Sequence, residues 1–421
     1  MNKIHYPALD ETLYTETLTN GLPVFVLPKR GFTRKAAYFI TNYGSNDTAF
    51  TWKGEKHRTP DGVAHYLEHK MFDLPGRDVM AEFSALGANP NAFTSYSMTA
   101  YYFSCTENFD KCLELLLTFV STPYFTEESV EKERGIIGQE IRMYADSADS
   151  QVYEDLFAAM YEHHPVRVPI SGTEESIAEI TAQTLYDCYA AFYHPGNMAL
   201  CVVGDVDPQA VLGMAERVLP KEPQEQPQRD YGEAETMAIP HKRTSRKMDV
   251  AMPTFQLGFK IPWPGLGAVQ QQIIGDLAAE ALMGESSPLY LRLYRSGLID
   301  TSFACGYEDM PGVALLSCGG DSKDPEAVLA AILEEAKRVS AEGIDEKLFL
   351  QLKRSALGRR YRSLDSFDGI CYRLCSSHFE GVDCLDFPAQ YAAVTKEQVE
   401  EFLRLYVKEE TSAMSVVTPR D

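Results

Sequence analysis

Basic residues are scarce in this chain relative to acidic ones. Its 39 lysines and arginines stand against 61 aspartates and glutamates, which gives a formal net charge of −22 over 421 residues. A surface of that sign repels phosphate groups, so we expect neither nucleic acid nor an anionic membrane as a partner. An acidic surface suits cationic or unfolded peptides, but acidity is also a common means of keeping a protein soluble.

Long apolar runs and paired-cysteine motifs are absent as well. No run of about 18 apolar residues, the length of a membrane-spanning helix, occurs, and residues 1–7 contain no apolar signal core. The nine cysteines include no Cys-x-x-Cys pair, which favours buried thiols in a reducing compartment over a disulfide framework. Nucleotide-binding glycine motifs are also missing. These absences predict a cytoplasmic protein without a membrane anchor.

The order of predicted elements indicates an internal duplication. The length is sufficient for two large domains, and a hydrophobic fraction of 45% is normal for a globular protein. A helix followed by a buried strand closes both halves of the chain, at 186–203 and again at 399–417. A proline-rich, charged stretch separates them. We therefore expect an α+β protein with one domain at 1–218, a linker at 219–246 and a second copy at 247–421.

The most informative short motif is His65-x-x-Glu68-His69. It reads as part of a helix with Thr59 as the N-cap and Pro60 at the first helical position. Two histidines four residues apart face the same side of a helix, where they can share one cation such as zinc. A neighbouring glutamate can take a proton from water at that metal. The alternative is an amphipathic helix with two surface histidines and a solvated glutamate.

A second predicted helix, at about 127–145, offers further carboxylates. Thr126 is its expected N-cap, and Glu133 and Glu140 are seven residues apart, so they project from one face. Such a pair is commonly a solvated edge. A zinc site with only two histidines, however, lacks a third protein ligand, and Glu140 is able to supply it.

Four stretches together resemble a known family of enzymes. In order along the chain they are Gly62–Phe72, Gly87–Ser95, Glu131–Glu140 and Gly172–Ile177. They resemble the pitrilysin, or M16, zinc metallopeptidases, which include the mitochondrial processing peptidase and insulin-degrading enzyme, and in particular the short bacterial members. The resemblance implies a metallohydrolase fold of two duplicated α+β domains, each with an antiparallel-rich sheet packed against helices. The second copy would be catalytically degenerate.

The resemblance also implies roles for individual residues. His65, His69 and Glu140 would be the zinc ligands, and Glu68 would be the base that activates water. Glu133 would be a further carboxylate at the catalytic site, orienting the ligands without binding the metal. The inverted His-x-x-Glu-His order agrees with such a peptidase.

A substrate-docking strand is implied at Asn91, Ala92, Phe93 and Thr94. An exposed strand edge offers unpaired N–H and C=O groups, so an extended peptide can add to it with little side-chain selectivity. The resemblance therefore predicts a peptide substrate that binds along residues 91–94.

One segment departs from the family's pattern. Members complete the active site with an arginine and a tyrosine from the second domain or from a partner. At the corresponding place Tyr294 takes the arginine's position and Asp300 the tyrosine's, although a shift of one residue would bring in Arg295. An ionised aspartate repels an oxyanion. We therefore expect the missing half-site on a second polypeptide, either a paralogous M16-like subunit in a heterodimer or a second copy in a homodimer.

Two functional hypotheses follow. The first is a zinc-dependent endopeptidase that hydrolyses peptides or unfolded segments in an enclosed chamber. The second is a non-catalytic scaffold or assembly subunit that keeps the same fold. The complete set of four residues, His65, Glu68, His69 and Glu140, favours the endopeptidase, because a scaffold has no use for all of them.

Overall fold

The computed structural model describes residues 1–420 and divides into two compact units. Unit 1 consists of Met1–Ile141, Pro169–Tyr231 and Tyr361–Asp386. Unit 2 consists of Arg142–Val168, Gly232–Arg360 and the chain from Phe387 onward. Neither unit is one continuous stretch, whereas the sequence suggested contiguous domains at 1–218 and 247–421.

The strands of both units are short and mostly antiparallel. In unit 1 they are β1 (Asn2–Tyr6), β2 (Glu11–Thr17), β3 (Pro23–Pro28), β4 (Lys35–Thr41), β5 (Ala49–Trp52), β6 (Glu55–Arg58), β7 (Asp73–Leu74), β8 (Arg77–Asp78), β9 (Ala88–Thr94), β10 (Thr99–Cys105), β11 (Met198–Gly204) and β12 (Gln228–Arg229). In unit 2 they are β13 (Arg243–Met248), β14 (Thr254–Lys260), β15 (Ala304–Met310), β16 (Val313–Asp321) and β17 (Ser412–Pro419).

Helices connect these strands and cover the faces of the sheets. In chain order they are α1 (Val63–Lys70), α2 (Val79–Ala85), α3 (Phe109–Val120), α4 (Glu127–Ala145), α5 (Ala148–Met160), α6 (Glu174–Ala178), α7 (Ala182–Phe192), α8 (Pro208–Val218), α9 (Val269–Met283), α10 (Pro288–Arg295), α11 (Pro325–Glu342), α12 (Glu346–Arg362), α13 (Phe367–Phe379), α14 (Phe387–Ala393) and α15 (Lys396–Tyr406). Among residues 1–420, no helix combines the length and the apolar character that crossing a bilayer requires.

The two main sheets share one strand order. The sheet of unit 1 runs β1-β2-β3-β11-β4-β10-β9, and that of unit 2 runs β13-β17-β14-β16-β15. β3 is parallel to β11 and β13 is parallel to β17, while the other neighbours in both sheets are antiparallel. The five strands of unit 2 thus correspond one by one to β3, β11, β4, β10 and β9. The predicted duplicated α+β fold is confirmed.

Strand β11 shows how the sheet of unit 1 is buried on both faces. All of its residues are buried, and alternate side chains point to opposite faces. Leu200 and Val202 enter a core shared with α1, α3 and α7. Cys201 and Val203 enter a second core, which is shared with α13. A continuously apolar strand is the expected result of such two-sided burial.

Each unit covers one face of its sheet with a helix from the other half of the chain. In unit 1, Ile370, Cys371 and Leu374 of α13 pack against β4 and β11. In unit 2, α5 packs against β14 and β17 in the corresponding way. Gly258 of β14 allows that approach, because a Cβ there would lie 2.6 Å from Met160 Sδ. This reciprocal exchange makes both units discontinuous.

The stretch 219–246, expected as a linker, carries structure of its own. Residues up to Tyr231 belong to unit 1, and residues from Gly232 onward belong to unit 2. Within it, β12 pairs with β5 and β13 pairs with β17. Its prolines and charges predicted an irregular chain, and they do not reveal these pairings.

Candidate active site

Helix α1 begins later than its sequence suggested. Its N-cap is Gly62, with φ of 89°, and not Thr59. A Cβ at position 62 would lie 2.4 Å from the carbonyl oxygen of Ser171, so both the backbone angle and the close approach require glycine. The expectation of Thr59 and Pro60 as the helix start is therefore wrong, because a contact remote in sequence determines where the helix begins.

The apolar side of α1 fixes the direction of its polar side. Val63, Tyr66 and Leu67 are buried in the core of unit 1. The hydroxyl group of Tyr66 donates a hydrogen bond to the carbonyl oxygen of Val130 on α4. This contact ties α1 to the helix that carries the two glutamates, and the sequence analysis did not identify it.

The three predicted ligands converge between α1 and α4. Glu140 Oε2 lies 3.6 Å from His65 Nε2 and 3.5 Å from His69 Nε2. All three ligand atoms lie within 4.8 Å of one another. Glu133 lies seven residues before Glu140, about two helical turns earlier on the same face of α4. Its Oε1 lies 3.0 Å from His69 Nδ1. The structure thus brings these four residues together as one cluster.

The charges of the cluster create an environment that attracts cations. Burial and the neighbouring His69 lower the pKa of His65 to about 4. Burial also opposes protonation of His69, but its hydrogen bonds to Glu133 and Glu140 outweigh that effect and raise its pKa to about 10. The neighbouring carboxylates therefore favour the protonated form of His69. A divalent metal that binds such a site displaces protons of this kind.

The spacing of the donor atoms fits zinc. Tetrahedral zinc with bonds of about 2.1 Å separates its ligand atoms by about 3.4 Å, and the measured nitrogen–oxygen separations are 3.5 and 3.6 Å. Two imidazole nitrogens and one carboxylate are also a ligand set that catalytic zinc prefers, and they leave a fourth position open. Glu133 at Nδ1 of His69 is the type of carboxylate that commonly orients a zinc-bound histidine.

Glu68 lies beside this cluster and is held by the neighbouring sheet. Thr94 Oγ1 donates a hydrogen bond of 2.7 Å to Glu68 Oε2. Burial raises the pKa of Glu68, although the hydrogen bond from Thr94 opposes the rise. Thr94 was predicted as a peptide-binding residue, and its contact with Glu68 is a second role that residue spacing did not reveal.

The residues predicted to dock substrate form the outer edge of the sheet. Strand β9 contains Asn91–Thr94, and within residues 1–420 it pairs only with β10. The four side chains are partly or fully exposed. Strand β9, which forms this edge, ends at Thr94, and the side chain of Thr94 contacts Glu68.

The segment that departs from the family's pattern lies in unit 2. Tyr294 is near the end of α10, where its ring stacks on Tyr290 with centroids 5.9 Å apart, and its side chain is exposed. Asp300 accepts hydrogen bonds from the backbone and the hydroxyl group of Ser302, at 2.8 and 2.6 Å. These bonds lower the pKa of Asp300, so it is ionised at neutral pH and does not act as a proton donor.

Comparison with known proteins identifies relatives along the whole chain. A protein of Bacillus subtilis (strain 168) named Uncharacterized zinc protease YmfH is 39% identical to it over 99% of both chains. The crystal structure of an M16-like peptidase from Alicyclobacillus acidocaldarius superposes with a TM-score of 0.94 at 34% identity, covering 99% of this chain and 100% of that one.

The periplasmic protease PqqL from Escherichia coli shares the fold at lower identity. Its TM-score is 0.73 at 20% identity, and the match covers 99% of this chain but 48% of PqqL. The present chain thus spans about half the length of that protein.

Family models match most of the chain in two segments. Residues 54–174 match the insulinase (peptidase family M16) model, and residues 179–356 match the model described as the peptidase M16 inactive domain. The first match contains His65, His69 and Glu140, and the second begins in the later part of unit 1 and covers much of unit 2. The chain belongs to the M16 peptidase family.

Proposed function

We propose that this chain is a zinc-dependent endopeptidase that hydrolyses peptides or unfolded segments. The observation that carries the proposal is the convergence of His65, His69 and Glu140 on one point, with Glu68 beside them. Zinc held by these three residues would supply a Lewis acid, which polarises a peptide carbonyl and lowers the pKa of water.

The residues around the metal position have separate tasks in this proposal. Glu133 keeps Nδ1 of His69 occupied, so that Nε2 is the nitrogen directed at Glu140. Glu68 Oε2 is engaged by Thr94, which leaves Oε1 to take the proton of the attacking water. A carboxylate with a raised pKa is suited to that transfer, because it accepts a proton and can then pass it to the leaving amine.

Substrate binding is proposed at the free edge of β9. An extended peptide that pairs with Asn91–Thr94 would continue the sheet, and its backbone would run toward Glu68. Backbone pairing recognises an extended conformation and not a particular side chain. The expected substrates are therefore unfolded or short peptides.

A partner subunit is part of the proposal. Asp300 is ionised and Tyr294 stands where an arginine is expected, so these two positions of unit 2 do not supply the donors that would stabilise an oxyanion. A paralogous M16-like subunit, or a second copy of this chain, would contribute the arginine and tyrosine and enclose the substrate in a chamber. The coverage of only 48% of PqqL supports an assembly of two such polypeptides.

The test separates metal binding from proton transfer. We expect Glu140→Gln to lose zinc and activity together, because a neutral amide is a weak zinc ligand. Glu68→Gln should keep zinc and lose at least about 100-fold in peptide hydrolysis, since general acid–base catalysis contributes on that scale. Glu128→Gln, an exposed residue in the first turn of the same helix, is the matched control and should resemble wild type.

Zinc content and cleavage of an unstructured peptide are measured with and without the candidate partner. Loss of zinc from Glu68→Gln would show that the roles of base and ligand are misassigned. A zinc-loaded chain that cleaves no peptide, alone or with a partner, would favour the scaffold hypothesis. Full activity of the isolated monomer would contradict the partner requirement.

A further inference from the structure

The last residues of the second chain segment of unit 1, Pro169–Tyr231, are attached to the region of that unit that holds Glu68. Residues 219–231 precede the crossing into unit 2, and they fold back onto unit 1. β12 pairs with β5, and Trp52 Nε1 donates a hydrogen bond of 3.2 Å to the carbonyl oxygen of Glu225. This attachment ends in two side chains, Arg229 and Tyr231, which reach a buried carboxylate.

That carboxylate is Asp47, whose side chain has no exposed surface. Arg229 Nε lies 2.9 Å from its Oδ1, and the hydroxyl group of Tyr231 donates to the same oxygen at 3.1 Å. The backbone N–H of Gly44 donates to Oδ2 at 3.0 Å. Burial raises the pKa of Asp47, and Arg229 opposes that rise. A buried carboxylate requires such partners, because an unpaired one is costly.

Asp47 in turn holds a loop against the turn between β9 and β10. The backbone N–H of Ser45 donates to the carbonyl oxygen of Ser95, and that of Asn46 donates to Tyr96, each at 3.0 Å. The approach is close, because a Cβ on Gly44 would lie 2.4 Å from the backbone of Tyr96 and Ser97. The 44–47 loop and the turn at residues 95–98 are therefore held together by two hydrogen bonds and by close backbone packing.

The turn begins directly after Thr94, the residue that binds Glu68. Thr94 Oγ1 donates to Glu68 Oε2 at 2.7 Å, and Thr99 on the other side of the turn lies 3.4 Å from Thr94 Oγ1. Thr99 also donates to the carbonyl oxygen of Tyr43, next to the 44–47 loop. A shift of the loop is thus transmitted to the hydrogen bond that orients the proposed base.

We propose that Arg229 and Tyr231 are positioning residues for Glu68. They act through Asp47, the 44–47 loop and the 95–98 turn, so that the chain leaving unit 1 sets the orientation of the catalytic base. This inference rests on the proposed peptidase function. It adds a requirement which the zinc ligands do not impose, namely that residues 219–231 be docked for full turnover.

The kinetic test compares variants that weaken the contact to different degrees. Arg229→Gln should lower kcat by about 10-fold or more, as expected when a catalytic group is misplaced by a fraction of an ångström to 1 Å. KM and zinc content should change by less than about 2-fold, because Glu68 acts only in the transition state. Arg229→Lys keeps the positive charge and should recover part of kcat.

Two further variants guard against simple unfolding. Tyr231→Phe removes one hydroxyl group and keeps the ion pair, so it should fold normally and lower kcat by about 3-fold. Arg217→Gln is the matched control, because Arg217 forms an exposed ion pair with Glu114 in the same unit at 2.7 Å. It should leave kcat unchanged. Equal kcat per zinc-loaded chain in wild type, Tyr231→Phe and Arg229→Gln would overturn the proposal.

A second measurement does not depend on catalysis. Amide hydrogen exchange at Ser45 and Asn46 should be faster in Arg229→Gln and Tyr231→Phe than in wild type or Arg217→Gln. Unchanged exchange at both amides would show that the pair does not hold the loop. If the wild-type chain fails to hydrolyse peptides, the proposed function fails, and the exchange data still decide whether Arg229 and Tyr231 hold the loop.

Discussion

The cluster of His65, His69 and Glu140 in unit 1 has a counterpart at the corresponding place in unit 2. Strand β15 corresponds to β9 as the edge of its sheet. In chain order, α9 precedes β15 as α1 precedes β9. Helix α12 comes after β16 and α11, just as α4 comes after β10 and α3. The counterpart of the space between α1 and α4 is therefore the space between α9 and α12.

Different residues occupy the two places. On α9, Asp276 and Glu280 are four residues apart, as the two histidines are on α1. Arg359 lies thirteen residues beyond the first residue of α12, as Glu140 does on α4. Its guanidinium group pairs with Glu280. Two acidic residues and a basic one thus replace two imidazoles and a carboxylate.

The difference shows two ways to supply positive charge to one scaffold. In unit 1 the carboxylates outnumber the fixed cations, and they raise the pKa of His69 to about 10. In unit 2 a side chain supplies the cation. Arg359 does not fully compensate, because burial and the neighbouring Glu280 raise the pKa of Asp276 to about 6. Unit 2 repeats the order of strands and helices around this place, but acidic and basic residues stand where unit 1 has the predicted ligands.

The largest effect should come from equivalent changes in the two clusters. His69→Ala should abolish zinc binding and lower peptide hydrolysis by about 1,000-fold, because the Lewis acid contributes several kcal/mol. Glu280→Ala, the change at the equivalent position in unit 2, should leave zinc content and kcat unaltered. Metal analysis and peptide cleavage are the measurements. Zinc loss from Glu280→Ala would show that unit 2 also contributes to metal binding.

A smaller effect is expected from Arg359→Glu. This change places three carboxylates together, so it should destabilise unit 2 and create a weak site for an oxygen-preferring cation such as Mn²⁺ or Ca²⁺. Arg359 is about half exposed, with 49% of its side chain accessible, so we expect a loss of about 1 kcal/mol without the cation. Added cation should restore it.

The experiment is best done in a His65→Ala/His69→Ala background, where the cluster of unit 1 cannot respond to the metal. The urea denaturation of each variant is compared in the absence of Mn²⁺ and at a series of increasing Mn²⁺ concentrations. Arg354→Glu, on the same helix, is the control for an added negative charge. Equal cation responses of the two variants would contradict the correspondence between Arg359 and Glu140.

Sequence periodicity predicted the two site helices for a physical reason. Residues four or seven apart share a helical face whatever the tertiary contacts, so the pairing of His65 with His69 and of Glu133 with Glu140 was readable directly. That the two faces meet depended on family resemblance. The two helices are joined by contacts such as the hydrogen bond from Tyr66 to Val130, residues that are 64 positions apart.

Other features could not be read in this way. The apolar faces of α5 and α13 predict burial, but periodicity does not say against which sheet, so the exchange of these helices was missed. The attachment of Arg229 to Asp47 joins residues 182 positions apart, and neither lies in a recognisable motif. Remote contacts of this kind are determined by the whole fold.

The smallest and most specific effect concerns the pH dependence of unit 2. Burial raises the pKa of Asp276 from 3.8 to about 6, so the folded state binds this proton more tightly than the unfolded state does. The contribution of this proton to the free energy of unfolding is complete below pH 4, and it is lost as the pH rises through 6. Because Asp276 is an exposed residue, solvent screens this effect, and we expect the loss of unfolding free energy between pH 4 and pH 7 to be about 1 kcal/mol or less.

Asp276→Asn removes this titration and keeps an oxygen that can accept the hydrogen bond from the backbone of Tyr307. The variant should therefore be more stable than wild type at pH 8, by less than about 1 kcal/mol after allowance for solvent screening and for lost attraction to Arg359. That advantage should vanish near pH 4. Urea denaturation at the two pH values, with the exposed Glu285→Gln as control, measures the difference. A pH-independent difference between Asp276→Asn and wild type would mean that the pKa of Asp276 is not raised in the folded state, and the contrast between the two clusters would then rest on residue identity alone.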